Sequence, residues 1–332
     1  MDILFRGWNR SLVLLLLLVV LVFGLGCRTS RPGDGSGWVL NGVQGVAGEA
    51  ILFVPGIVST EAFELNATFS PDGNEFFFTR ANDTWSEMTI LVSHWNGRSW
   101  TRPKSLPFNG DFQNADPSFS PDGKRLFFAS KRDPLGRIKQ DFDLWYVDRT
   151  ADEWGVPTPL TELNSMDEEV CPFPMADGSL YFTSKRRDGV GKYDVYYSRW
   201  VDGSYRPPLL LDPPVNSRLT EVDATLSADG NLLFFAGHGR ADSFGKGDIY
   251  VCFKRNGAWS SPVNLGEPVN STEMELCPKL APDGHTLFFA STRKVAGGDD
   301  GGGSADIYLV DLATLPLMQE HGWQLLSMAS GR

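Results

Sequence analysis

Phe69-Ser70-Pro71-Asp72-Gly73, followed by the apolar run Phe76-Phe77-Phe78, reads as a strand, a tight turn and a second strand. The pattern returns four times, with its turn at Asp122-Gly123, Asp177-Gly178, Asp229-Gly230 and Asp283-Gly284. Successive turn aspartates are 50, 55, 52 and 54 residues apart. A period of this size marks a repeat architecture in which each unit is one supersecondary element.

Each unit supplies four strand-like pieces. The first ends in the turn. The second is the apolar run after it, at 75–79, 126–129, 180–183, 232–236 and 286–290. The third alternates aromatic and β-branched residues from Thr89, Asp143, Asp194, Asp248 and Asp306. The fourth carries an aromatic and then a proline: Trp100 and Pro103, Trp154 and Pro157, Tyr205 and Pro207, Trp259 and Pro262. Asp-Gly accommodates a positive φ and makes strands one and two antiparallel neighbours, and Asn96-Gly97, Asp202-Gly203 and Asn256-Gly257 do the same between strands three and four. Proline lacks the donor a central strand needs, which puts strand four at a sheet edge.

Four antiparallel strands repeated at this length make a propeller blade. The expected fold is therefore all-β, with five blades at about 67–106, 117–160, 172–211, 224–265 and 278–312. The fifth lacks a nearby fourth strand: Trp323 lies 17 residues beyond Asp306, against a spacing of 11 in the other units. Ile51-Leu52-Phe53-Val54-Pro55 looks like an orphan fourth strand, so 50–55 is predicted to complete blade five and close the ring, removing exposed edges. The alternatives are completion by 323–327 or a degenerate sixth blade.

With 332 residues, 42% of them hydrophobic, the chain can fill one large propeller. Its net charge of −11 carries no basic footprint, which speaks against nucleic-acid binding. Arg6 and Arg10 precede an unbroken apolar run of 15 residues, 12–26. That is short of the roughly 20 residues of a spanning helix and has the layout of a signal peptide. The expected organisation is a signal peptide over 1–26, a Gly/Ser-rich flexible tether over 27–49, the propeller over 50–316 and a tail over 317–332. Beyond Cys27 three cysteines remain, an odd number that argues against a disulfide framework.

Two columns of polar residues recur. Just before strand one stand Glu64, Asn114, Glu169, Glu221 and Glu275, and two residues later Asn66, Asp116, Cys171, Asp223 and Cys277. Strand one lines the channel of a propeller, so these residues should ring one mouth of it. They would form either an electronegative funnel for a cation or polar ligand or a set of structural acceptors. The second column joins Arg132, Arg186, Arg240 and Arg293 after strand two to Asp143, Asp194, Asp248 and Asp306 opening strand three. Blade one lacks both, with Asn82 and Thr89 in their places, which predicts an Arg–Asp pair within each blade. His238 breaks the repeat pattern and is a candidate for ligand contact. The glycine-rich stretch 297–306 lacks the ligand spacing of an EF-hand and reads as a loop. The four histidines form no cluster with metal spacing, and no Gly-x-Ser-x-Gly elbow is present. No metal and no cofactor are expected.

The pattern Pro278-x-Leu-Ala-Pro-Asp-Gly-x-x-Leu-Phe-Phe-Ala-Ser-x-Arg293, followed by Asp306-Ile-Tyr, resembles the WD40-like repeat of TolB-type propellers. The segment from Trp259 through Asn270-Ser271 to Glu275 is similar to bacterial envelope proteins in which such propellers precede an OmpA-like domain. TolB itself is six-bladed with an extra N-terminal domain, and neither feature is evident here. Gly26-Cys27 resembles the end of a bacterial lipoprotein signal, which implies lipidation of Cys27; an ordinary cleaved signal or an uncleaved anchor are the alternatives. The resemblance implies a monomeric, non-enzymatic lipoprotein of the cell envelope, facing periplasm or exterior. It would bind a protein or glycan partner at the channel mouth. The alternative is a glycosidase or lyase using inner carboxylates such as Glu169, Glu221 and Glu275, since paired carboxylates carry that chemistry.

Overall fold

The computed structural model describes residues 39–150, 153–294 and 304–321. The fold is a five-bladed β-propeller. Blade one consists of Phe63–Phe69, Glu75–Ala81, Met88–His94 and Lys104–Ser105, hydrogen-bonded in that order. Blades two, three and four begin at Asn114–Phe119, Glu169–Pro174 and Thr220–Leu226 and repeat the order. Blade five takes three strands from the C-terminal end, Glu275–Leu280, Thr286–Ser291 and Asp306–Asp311. Its edge strand is Ile51–Leu52, pairing Tyr308 with Leu52 and Leu309 with Ile51, as the spacing of the repeats predicted.

Every blade buries both sheet faces against its neighbours, so the apolar residues of strand two form a run rather than an alternation. Phe76, Phe77 and Phe78 are all fully buried, as are Phe234 and Phe235. Closure is sealed by Phe53. Its ring lies 4.5 Å from Phe76 and 5.2 Å from Phe288, centroid to centroid, joining blade one to blade five.

The propeller has two unlike ends. One, the turn face, carries the Asp-Gly hairpins between strands one and two and the hairpins between strands three and four. The other, the loop face, carries the connections between strands two and three and the entries into strand one. Three expectations need correcting. The repeated aromatics do not lie in strand four: Trp154, Trp259 and Tyr205 belong to short hairpins at the turn face, and strand four follows the proline, as at Thr158–Pro159. Proline stands at the edge because it separates these two pieces. The expected tether already folds at residue 39, where Val39–Leu40 and Val43–Gln44 form a hairpin. The hairpin seats on blade one: Trp100 Nε1 donates to the Asn41 carbonyl at 3.1 Å, and Gly42, with φ of +79°, lies flat on the Trp95 ring, where a Cβ would clash. Likewise the tail begins packed, since the short helix Pro316–Glu320 buries Met318 in the core. Cys27, most of the glycine-rich stretch and 323–327 lie outside the described residues.

Candidate functional site

Strand one carries a β-bulge in all five blades, the register shifting between Leu65 and Thr68, Ala115 and Ser118, Val170 and Phe173, Val222 and Thr225, and Leu276 and Lys279. Within each bulge one residue adopts the left-handed conformation: Asn66, Asp116, Cys171, Asp223 and Cys277, with φ between +46° and +58°. Side chains disfavour that region, at a cost of about 1–3 kcal/mol each. The bulge re-aims these five side chains, as bulges do, and parts them from the glutamate column two residues earlier.

The five meet at the channel axis. Cys171 Sγ donates to Asp223 Oδ1 at 2.8 Å, and Cys277 Sγ donates to Asn66 Oδ1 at 2.8 Å. The Cys171 and Cys277 amides donate to Asp116 and Asp223 of the preceding blades at 2.9 and 3.0 Å. Lys279, from blade five, crosses the channel until its Nζ lies 3.4 Å from Ser118 Oγ of blade two and 4.7 Å above the Phe173 ring of blade three. The cavity left between these groups measures ≈ 10 Å³, about the room one water needs. Burial, and then the neighbouring Asp223 charge, push the Asp116 carboxyl up to about 7. Burial drives the Lys279 ammonium down and the Cys171 and Cys277 thiols well up. The thiols are therefore held protonated, as donors. No group of three or more His, Cys, Asp or Glu among the described residues is disposed to hold a metal ion.

The glutamate column is withdrawn from this axis. Glu64, Glu169, Glu221 and Glu275 have no exposed surface. Each closes a capped loop: Glu221 accepts from the Ser217 amide at 3.0 Å, the Ser217 hydroxyl at 2.6 Å and Arg240 at 2.7 Å. Ser271 and Arg293 do this for Glu275, and Ser165 and Arg186 for Glu169. In blade two Asn114 takes the position and accepts from Arg132 at 2.8 Å.

The predicted Arg–Asp pairs are therefore replaced by Arg–Glu pairs, because the guanidinium folds inward over an aromatic of strand three instead of along the loop. Arg186, Arg240 and Arg293 stack 4.9–5.0 Å from the rings of Tyr196, Tyr250 and Tyr308. Arg132, stacked 5.6 Å from Trp145, is held by burial down to about 10. Blade one does have an arginine, Arg80, which reaches Glu64 at 2.8 Å from within strand two and so escaped the column. The aspartates opening strand three anchor loops instead. Asp248 accepts from the amides of Phe244 and Gly245 and from Asn264, Asp194 from Val190 and Gly191, and Asp143 from Lys139. Asp306 lies beside Glu64, and burial together with that charge holds it up to about 6.

Sequence reading missed a third column. Asn164, Asn216 and Asn270 each bond both the amide and the carbonyl of a strand-three residue, Leu144, Val195 and Ile249. The readable sign was the recurrent Asn-Ser followed four residues later by Glu, at Asn164-Ser165, Asn216-Ser217 and Asn270-Ser271. His238 turns to its own loop, with Nδ1 at 3.2 Å from the Lys246 carbonyl.

With the glutamate column buried, the loop face presents apolar side chains to solvent beside exposed carboxylates such as Asp83, Glu87, Asp188 and Asp242. Trp85, Leu135, Val190 and Phe244 project from the loops between strands two and three of blades one to four, Ile138 from the start of strand three in blade two, and Met166 and Leu219 from entries into strand one. Met166 is 94% exposed and Leu135 76%.

No family model matches the sequence, and no curated protein does. Solved structures do share the architecture. TolB from Acinetobacter baumannii is 18% identical at a TM-score of 0.42, over 74% of this chain and 51% of its own, so the chain spans about half that protein's length. A TolB described as putative, from Agrobacterium tumefaciens, is 18% identical at 0.47, over 86% and 89%. The α-L-arabinofuranosidase PaAbf62A from Podospora anserina is 13% identical at 0.47, over 80% and 94%. Likeness at these identities concerns the fold alone.

Proposed function

We propose that the chain is a non-enzymatic scaffold of the bacterial cell envelope, monomeric, held to the membrane through a lipidated Cys27, that takes a protein or glycan partner on the loop face. The observation carrying this reading is the division of labour on that face: the four column glutamates are buried and saturated, and apolar side chains of four blades stand in solvent. Exposed apolar side chains gathered on one face, rather than scattered singly, are what an interaction surface presents. It favours a protein over a glycan. The glycosidase alternative needs two carboxylates flanking an open cleft. Glu169, Glu221 and Glu275 are each closed over by a serine and an arginine, and Asp116 and Asp223 face a space of one water.

Capture from envelope extract tests the reading. Wild-type chain lacking the lipid should enrich a defined partner, Leu135→Asp with Phe244→Asp should lose it, and Val156→Asp on the turn face should keep it. Equal capture by all three would remove the loop face from the function. Hydrolysis of an envelope polysaccharide abolished by Glu221→Gln in a folded protein would favour the enzyme. Cys27→Ser should release the protein from the membrane fraction and abolish incorporation of a labelled fatty acid.

A further inference from the structure

The turn face departs from the repeat in blade three. In blades one, two, four and five the hairpin between strands one and two closes through a bond from residue i to i+5: Ser70 to Glu75, Ser120 to Arg125, Ser227 to Leu232 and Ala281 to Thr286. In blade three it closes from Met175 to Ser179 and is one residue shorter. Met175 also replaces the serine that staples the turn aspartate in blades one, two and four. The short turn leaves a cleft on either side, of ≈ 480 and ≈ 530 Å³, and Met175 lines both. Each is within the range of small-molecule sites, about 300–1,000 Å³.

The same blade breaks the repeat at a second point. The residue six positions after the start of strand three is Trp95, Arg149, Trp200 and Lys254 in blades one to four. Arg149 and Lys254 each lie over the tryptophan of their own blade, Trp154 and Trp259, at 5.2 Å. Trp95 is covered by Gly42 of the N-terminal hairpin. Trp200 alone of the four remains open, 39% exposed. It is nevertheless fixed in place, edge-on to Tyr205 at 4.7 Å and against Gly178, where an added Cβ would come within 3.0 Å. Across Met175, Tyr197 and Tyr181 line the second cleft with ring centroids 4.7 Å apart.

We propose that the blade-three turn and its two clefts bind a neutral oligosaccharide. A rigid, half-exposed indole offers a flat apolar surface at little entropic cost, matching the C–H face of a pyranose ring. Hydroxyls of a sugar need mixed donors and acceptors at the rim, supplied here by Asp177, Asn256, Lys124 and the tyrosine hydroxyls. Charge selects against ionic polymers: two and two aspartates stand against three and one Lys or Arg, so the linings sum to zero in a chain of −11. The two clefts meet at Met175, which suits a ligand of several linked units.

Detergent-solubilised full-length protein should be titrated with cellohexaose, xylohexaose, maltohexaose and chitohexaose, following heat and tryptophan emission. At least one should saturate with a Kd below ~1 mM. Trp200→Ala should weaken it by about tenfold or more, and Met175→Trp, which fills the shared wall, should do the same from a different element. Loop-face Phe244→Asp should leave it unchanged, which separates this site from the partner surface above. The proposal is overturned if none of the four saturates with a Kd below ~1 mM, if binding survives both substitutions in folded protein, or if a proline-rich decapeptide saturates the site and the sugars do not.

Discussion

Glu221 and Asp223 sit two residues apart on one strand, where a regular pleat would point both the same way. The bulge at Asp223 separates them, so that Glu221 ties a loop and Asp223 meets Asn66, Cys171 and Cys277 of three other blades at the axis. Removing Glu221, which is fully buried, leaves the largely covered Arg240 without its counter-charge. Breaking a buried pair costs about 3–5 kcal/mol, and Glu221→Ala should lower Tm by roughly 6–12 °C for a domain of this size, which a calorimetric scan reads directly. Asp248→Ala should also lower Tm, through the loss of its three loop bonds, while Arg240 keeps Glu221. Asp116 gives a pH signature. Its folded pKa of about 7 lies above the unfolded value near 3.8, so the folded state holds the proton more tightly. Its contribution to stability is complete below about pH 4 and declines as pH rises to about 7. Chemical denaturation of Asp116→Asn should show a flatter stability profile than wild type between pH 4 and 7; parallel profiles would mean that Asp116 ionises normally.

Ring closure rests on one two-residue strand and on the phenylalanine after it. Phe53→Ala opens a void between the first and last blades among Phe69, Phe76, Trp100 and Phe288. A loss of about 3–5 kcal/mol is expected, together with earlier hydrogen exchange in strand three of blade five than in blade three. Uniform exchange would show that closure adds nothing beyond local packing. This strand was legible in the sequence because a four-piece repeat with one piece missing predicts where the missing piece must be. Blade number and hairpins were legible for the same reason: turn chemistry is local. The polar columns were visible as columns, but their partners were not. Arg186 lies 17 residues past Glu169 and eight before Asp194, so nothing in the chain spacing chose between the two partners. The choice of Glu169 depends on the guanidinium stacking over Tyr196, a tertiary contact. Nor could the bulges be read, since positive φ at Asp, Asn and Cys leaves no glycine to mark it. The shortened turn of blade three was present in the letters as Gly178-Ser179-Leu180 against Gly73-Asn74-Glu75-Phe76, and becomes meaningful only once the cleft beside it is seen.

At the scale of the molecule, the two ends of the propeller present different chemistry, and binding at the loop face should be nearly independent of salt. A partner held by Leu135, Ile138 and Phe244 on the loop face relies on buried apolar area, which screening does not weaken. Raising salt from 0.05 to 0.5 M should leave its affinity within about threefold, whereas a tenfold loss would point to charge steering instead. The N-terminal hairpin adds a direction in space. Asn41 bonds the Gly73 carbonyl and Trp100 holds the Asn41 carbonyl, so the chain enters the propeller at the turn face. Between Cys27 and Val39 lie 11 residues, which span at most about 40 Å when fully extended. A lipid at Cys27 would thus moor the molecule with its turn face toward the bilayer, within reach of whatever coats that surface. The loop face would look outward, and a visiting partner would meet it first.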